Sequence, residues 1–511
     1  MTRVISIGLD GAAWHKLDRL MADGRVPNLQ ELVETGVRAP LRTVTPPVTC
    51  PAWRCSTSGK NPGKLGVFWW LNLDHDTRVV SSPDSNSFTT ADIWDYLSDD
   101  GYRCAVVNVP MTYPPSELNG TMVSGFGASL DFDLDPNDSI THPPEFESEL
   151  VSEYDWEVGV EDITTHEGLE QTYDLIRSRF ELLLDLIEED YDFVHLTVFY
   201  INMLQHKYGD SQETDHAWEL IDQYLGRIDT EDTLLILYSD HGHETIEQTF
   251  VINRWLVENG YLSLDGMSDD TAALEGLYSA LLSAGVSPKK LAVLLRRLLP
   301  DAISDRIIPS SYPISVVQLA NQVDWEETQA VALSQGPLYI NRKLVGDEYK
   351  AFRDKLQKEL KSVEHEGEHV LSDVRTAEEV YRGLFVDDAP DLLLYGSEGW
   401  EVYGGIVPSM FETQVMSWTS GNHPVGTLVL NGPGVEPGEL EEQSILDIVP
   451  TILNYFGSPI PRDMDGTVIR TAFPDREMRT REREPLEASG NDKRTDDEEL
   501  QQRLGDLGYL E

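Results

Sequence analysis

The sequence predicts an α/β fold: a central, mainly parallel sheet flanked by helices. Short apolar runs rich in β-formers alternate with helical patterns along the chain, the order that builds such a sheet. Three of those runs end close to an oxygen-bearing side chain, and open α/β sheets bind their ligands beyond the carboxyl ends of the strands. No internal repeat competes with this reading.

Core strands are expected at Val4–Leu9, Arg103–Val109, Phe193–Tyr200, Thr233–Tyr238 and Gly426–Leu430. A long amphipathic helix is expected over about 167–188, where Leu169, Tyr173, Ile176, Phe180, Leu183 and Ile187 fall near one face. Residues 1–260 and 398–473 form the expected catalytic core. Residues 261–322 carry Leu/Ala/Arg helical patterns with little strand signal and read as a helical insertion, either a substrate cover or a peripheral subdomain. A smaller α+β portion is expected at 323–397. The stretch 474–511 reads as a charged linker and a short C-terminal helix.

Of the 511 residues, 90 are Asp or Glu and 39 are Lys or Arg, so the formal net charge is −51. That excludes nucleic acid held by a basic surface, and it argues against an anionic membrane surface. The composition is still that of a folded chain: 40% of residues are apolar, with 11 Trp, 20 Tyr and 14 Phe to fill a core. Self-repulsion at this charge is unfavourable at low salt, and concentrated salt screens it over a few ångström. A cytoplasmic protein of a halophile is therefore expected. Three cysteines, Cys50, Cys55 and Cys104, make neither a disulfide framework nor a zinc-ligand spacing. No apolar run approaches the roughly 18 residues of a membrane span. The N-terminal run is too short and mixed for a signal peptide.

The chemistry is expected at the strand ends. Val4–Leu9 runs into Asp10, Phe193–Tyr200 into Asn202, and Thr233–Tyr238 through Ser239 into Asp240 and His241. One such Asp is commonly a turn residue or a helix cap; three, two of them with a histidine close by, form a pattern. Asn202 and His206 stand four apart and share a face if a helix starts there. His423 precedes another apolar run. Carboxylate with imidazole suits Zn²⁺, Mn²⁺ or Fe rather than Ca²⁺. For His15, His75, His142, His166, His365 and His369 a surface or hydrogen-bonded core role is expected. Thr49 is the candidate nucleophile, expected just ahead of a helix with Pro51 in its first turn. A phosphate there would meet free N–H groups and the positive end of the helix dipole. The alternative is that Thr49 only caps the helix. Lys60, Asn61 and Lys64 follow in a loop that either binds phosphate or is a solvated turn. Trp53, Phe68, Trp69 and Trp70 are either stacking surfaces for substrate or core.

Taken together, LDG at 9–11, PPVTCPAW at 46–53, SGKNPGKLG at 58–66, NMLQH at 202–206, SDHG at 239–242 and GNH at 421–423 resemble the type I phosphodiesterase/nucleotide pyrophosphatase family of the alkaline phosphatase superfamily. Segments at 323–343, 389–395 and 444–457 and the closing RLGDLGYLE also look like family segments, in the expected order. The resemblance implies an alkaline-phosphatase-like fold and a small-molecule phosphate ester as substrate. It implies two divalent ions, zinc first and manganese second. One ion would sit on Asp10, Thr49, Asp240 and His241, the other on Asn202, His206 and His423. Thr49 would form a phospho-threonine that water then hydrolyses. Lys60, Asn61 and Trp53 would contact substrate.

Two departures from the family pattern stand out. The family carries Asp where this chain has Asn202, which removes a charge from the second ion site. The Phe-Pro-Asn-His run that often follows the nucleophile is here Cys50-Pro51-Ala52-Trp53. Competing readings are a phosphoryl or head-group transferase, a sulfatase-like hydrolase, and a weakly active or non-catalytic binder. Cys50 has the wrong register for a sulfatase formylglycine.

Overall fold

The computed structural model describes residues 3–88, 90–125, 139–160, 162–264, 319, 322–333, 335–407, 409–413, 415, 418–476 and 480–486. Most of the expected helical insertion at 261–322, and the C-terminal helix expected within 474–511, lie outside the described residues.

The strands that organise the molecule are β1 (Arg3–Leu9), β2 (Val37–Arg42), β3 (Cys104–Val109), β4 (Gly120–Ser124), β5 (Thr141–His142), β6 (Phe193–Val198), β7 (Thr233–Tyr238), β8 (Gly242–Thr245), β9 (Ser420–His423), β10 (Val425–Asn431) and β11 (Gly438–Glu439). The main sheet runs β11-β2-β10-β7-β1-β6-β3-β4-β5, with Gln443–Ser444 pairing off the path on β2. Its centre is parallel: β1 pairs with β6 and β7, and β3 with β6 and β4. The strand expected at 426–430 is β10. It lies antiparallel between β7 and β2, so the sheet is mixed.

The central strands β1, β3, β6 and β7 are buried at nearly every position because both faces of the sheet are covered. Alternate side chains enter different cores. Ile5, Ile7 and Leu9 of β1, with Leu235 and Leu237 of β7, join one apolar cluster. Val4 of β1, with Leu234, Ile236 and Tyr238 of β7, joins the other. Helices fill both layers. They include α1 (Thr49–Ser58), α2 (His166–Glu188), α3 (Tyr200–Tyr208) and α4 (Gln212–Leu225). The α2 helix matches the expected amphipathic one: Tyr173, Ile176, Phe180 and Leu183 are buried, and Thr165 caps its start by accepting from the N–H of Gly168. The third predicted strand ends earlier than expected, at Val198, because Tyr200 already begins α3.

Beyond the main sheet, Ala330–Ala332, Pro337–Ile340, Leu392–Gly396 and Leu371–Thr376 form a four-stranded antiparallel sheet in that spatial order. The helix Tyr349–Lys361 packs on it. Leu338, Leu356, Leu360 and Leu392 belong to the same apolar cluster as Ile5 and Ile7, so this portion shares the main core.

Candidate active site

Parallel register brings the strand ends together. Leu9 of β1 faces Val198 of β6, and Gly8 faces Tyr238 of β7. Asp10, the start of α3 and Asp240 therefore leave the sheet along one edge. Gly11 makes the exit possible. It sits at φ +68, and a Cβ there would lie 2.4 Å from Oδ1 of Asn202. Its N–H donates to Oδ1 of Asp240 at 3.2 Å, and its carbonyl accepts from Nε2 of Gln205 at 3.1 Å.

Asp10, Thr49, Asp240 and His241 are wholly buried. Nε2 of His241 lies 3.3 Å from Oγ1 of Thr49, 3.2 Å from Oδ2 of Asp240 and 3.7 Å from Oδ1 of Asp10. Nδ1 of His241 meets its own strand's carbonyl at Gly242, 2.8 Å away, so the ring N–H belongs there and Nε2 keeps its lone pair. Thr49 is the first residue of α1. Val48 is the cap position and makes no side-chain capping hydrogen bond, so Thr49 does not cap the helix, contrary to one expectation. The first turn of such a helix carries N–H groups without intrahelical partners, although Pro51 contributes none.

The residues fit a divalent cation. Oδ1 of Asp10, Oδ2 of Asp240 and Oδ1 of Asn202 are buried acceptors without hydrogen-bond donors. Among the described residues, Asp10, Asp240 and His241 form a metal-capable group with ligand atoms within 4.8 Å of one another. Burial pushes the Asp10 carboxyl well up, and Asp240 beside it adds to this. Burial raises Asp240 to about 8. The imidazoles move the other way: burial lowers His241, and lowers His206 to about 3. A cation beside the carboxyls would favour their charged form, and the lowered imidazoles keep the neutral form that binds a metal.

Asn202 and His206 share a face of α3 as the spacing predicts. The Asn202 amide nitrogen is 3.1 Å from Nε2 of His206, and Nδ1 of His206 is 2.7 Å from the carbonyl of Ser420. His423 ends β9, where it pairs with Gly242 of β8. It is partly exposed, and its field contributes to lowering His241.

Three expected substrate contacts are placed elsewhere. Trp53 is buried, and its indole N–H donates to Oδ2 of Asp10 at 2.8 Å. It holds a candidate ligand instead of stacking on substrate. Lys60 lies past the far end of α1, roughly 15 Å from Thr49 by helix rise. It is 1% exposed and pairs with Asp463 at 2.6 Å. Asn61 caps the short helix Pro62–Leu65 and donates to Asp465. Phe68, Trp69 and Trp70 are core. Two further residues were not among the candidates: Gln205, inside NMLQH, and His243, one residue beyond SDHG. Nδ1 of His243 is 2.8 Å from the Gly11 carbonyl, and its ring packs on His15, centroids 4.8 Å apart. His15, exposed as expected, stands beside the site.

The model of the type I phosphodiesterase/nucleotide pyrophosphatase family matches residues 4–424. The chain belongs to this family. The matched span contains every candidate ligand from Asp10 to His423. The chain is a phosphate-ester hydrolase. Similar solved structures carry the same fold. Murine ectonucleotide pyrophosphatase/phosphodiesterase 5, an inactive variant in complex with AMP, has a TM-score of 0.53 at 12% identity over 93% of this chain and 99% of that one. Phosphonoacetate hydrolase from Sinorhizobium meliloti 1021, in complex with phosphonoformate, has a TM-score of 0.54 at 14% identity over 88% and 94%. Wild-type alkaline phosphatase PafA has a TM-score of 0.53 at 16% identity over 93% and 99%. No curated protein sequence matches the chain. No helix among the described residues is long and apolar enough to cross a membrane.

Proposed function

We propose that the protein hydrolyses phosphate diesters through a phospho-threonine at Thr49, at a centre for divalent cations. The observation that carries this is the placement of Thr49 Oγ1 3.3 Å from His241 Nε2, inside a buried cluster in which Oδ1 of Asp10 and Oδ2 of Asp240 lack donors. Asp10, Thr49, Asp240 and His241 would hold the first cation; Asn202, His206 and His423 would hold a second. Zinc suits this donor set best and manganese next. A cation bound there supplies positive charge that favours the Thr49 alkoxide and the oxygens of the transferring group.

The chain's own groups do the rest. Oγ1 of Thr49 attacks phosphorus, the bond to one ester oxygen breaks, and that alcohol leaves with the proton that Thr49 gave up. Water then attacks phosphorus, the bond to Oγ1 breaks, and Thr49 regains a proton as the phosphate monoester departs. Gly11 N–H holds Asp240, and Trp53 holds Asp10, so both carboxylates are aimed before substrate arrives.

The second centre is the weaker one. An amide oxygen at Asn202 brings no charge, and the amide nitrogen faces the lone pair of His206. The net charge of −51 suits work in the concentrated salt of a halophile's cytoplasm.

The test is turnover of p-nitrophenyl phosphodiesters in high salt, with mass spectrometry of the Thr49 peptide after rapid quenching. Thr49→Ala is expected to lower turnover on the order of a thousandfold or more while keeping the fold. Near-normal rates in that variant, or a phosphoryl group found elsewhere, would refute the reading.

A further inference from the structure

A cavity of about 940 Å³ opens beside the buried cluster, within the size range of small-molecule sites. Its wall includes His423, His243, Gly426 and the carboxylates Glu244, Glu247, Glu368 and Glu398. No Lys or Arg is among its lining residues. It connects to the proposed centre through the backbone of one residue, Gly11. Gly11 N–H donates to Asp240, and the Gly11 carbonyl receives Nδ1 of His243. Gly426 backs directly on His241: a Cβ on it would lie 2.8 Å from the His241 carbonyl.

Acidic groups alone would say little, since this chain is acidic throughout. His243 adds an independent observation. It is 4% exposed and lines the cavity. With its N–H committed to Gly11, its Nε2 offers a lone pair, and no hydrogen bond to Nε2 occurs among the described residues. The carboxylates of the wall are acceptors and the His243 lone pair adds another, while the imidazoles of His15, His369 and His423 and the hydroxyls of Thr245 and Ser397 also line it. A ligand that completes it must bring N–H donors and positive charge.

The geometry points to a phosphate ester whose alcohol carries a protonated primary amine, an aminoalkyl phosphodiester, with the ammonium seated between Glu244 and Glu398. This rests on the proposed hydrolase reading of the Thr49 centre. The same wall disfavours substrates whose second arm is anionic, such as a further phosphate, because no cation of the described lining would meet it.

The experiment compares kcat/KM of the metal-loaded full chain for three p-nitrophenyl phosphodiesters: the 2-aminoethyl ester, its neutral ethyl analogue and the choline ester. The 2-aminoethyl ester is expected to exceed the ethyl ester by about tenfold or more, the scale of a charge-assisted hydrogen bond. The choline ester, which has charge but no N–H, is expected to fall between them. The 2-aminoethyl to ethyl ratio is expected to approach one in the Glu244→Gln, Glu398→Gln double variant and to shrink as salt rises. A wild-type ratio near one, or choline preferred to 2-aminoethyl, overturns the proposal whether or not the variant folds. Turnover of none of the three would instead strike the hydrolase reading. Calorimetry with O-phosphoethanolamine against ethyl phosphate then decides the cavity by itself: equal binding of the two, or none of either, overturns the assignment.

Discussion

The amide nitrogen of Asn202 lies 3.1 Å from Nε2 of His206, one turn further along the same helix. A hydrogen bond therefore already occupies the lone pair that a second cation would use. Replacing the amide by a carboxylate removes that donor and adds a charge. Asn202→Asp is expected to tighten the second cation by about tenfold or more. Metal titration followed by mass-spectrometric metal counting checks this; equal stoichiometry and affinity in both forms would remove Asn202 from the ligand set.

Trp53 gives a second prediction. Its only polar atom donates to Asp10, and its ring lies where a Cβ on Gly8 would fall, 2.3 Å away. Trp53→Phe keeps most of the packing and deletes the donor. Loss of a group that orients a ligand typically weakens a metal by about 10- to 100-fold. The first cation is expected to dissociate that much more readily, with the melting temperature in saturating metal nearly kept. Unchanged affinity would make Trp53 only a core residue.

The pH dependence follows from the buried carboxyls. Burial raises Asp240 from the usual 3.8 to about 8, and Asp10 moves in the same direction. In the metal-free protein the folded state then binds more protons than the unfolded state between about pH 4 and 8. Stability conferred by the neutral carboxyls is present below that window and is lost as pH rises through it. The chelator-treated protein in concentrated salt is expected to melt lower at pH 8 than at pH 5. Added zinc is expected to reverse the trend and to release protons on binding near neutrality. Calorimetry in buffers of different ionisation enthalpy measures that release; a metal-free melting temperature that rises with pH would contradict the account.

Lys60 separates position in the chain from position in space. Its ammonium is buried against Asp463, whose side chain is 35% exposed. Partial exposure screens the pair, so Lys60→Met is expected to cost about 1–2 kcal/mol of stability rather than the full penalty of a buried pair. KM for a phosphodiester is expected to stay unchanged. A large rise in KM at constant stability would return Lys60 to the substrate.

The sequence by itself determined the type of sheet and five of its ten strands, β1, β3, β6, β7 and β10, but not β2, β4 or β5. Strands covered on both faces are continuous apolar runs, so β1 and β7 were visible within a residue of their limits. It also determined the candidate ligands Asp10, Asp240 and His241, because they follow such runs directly. The i, i+4 spacing of Asn202 and His206 needed only a helix to become a shared face. What lay hundreds of residues apart did not show. Trp53 reaching Asp10, His206 held by the Ser420 carbonyl and His243 held by Gly11 depend on which strand ends are neighbours, and only the folded sheet decides that. The same reason moved Lys60 and Asn61 away: a helix rises about 1.5 Å per residue, so eleven residues after Thr49 the chain is at the other end of α1. Local pattern thus named the chemistry, while long-range contacts settled which groups aim it and which only hold the fold.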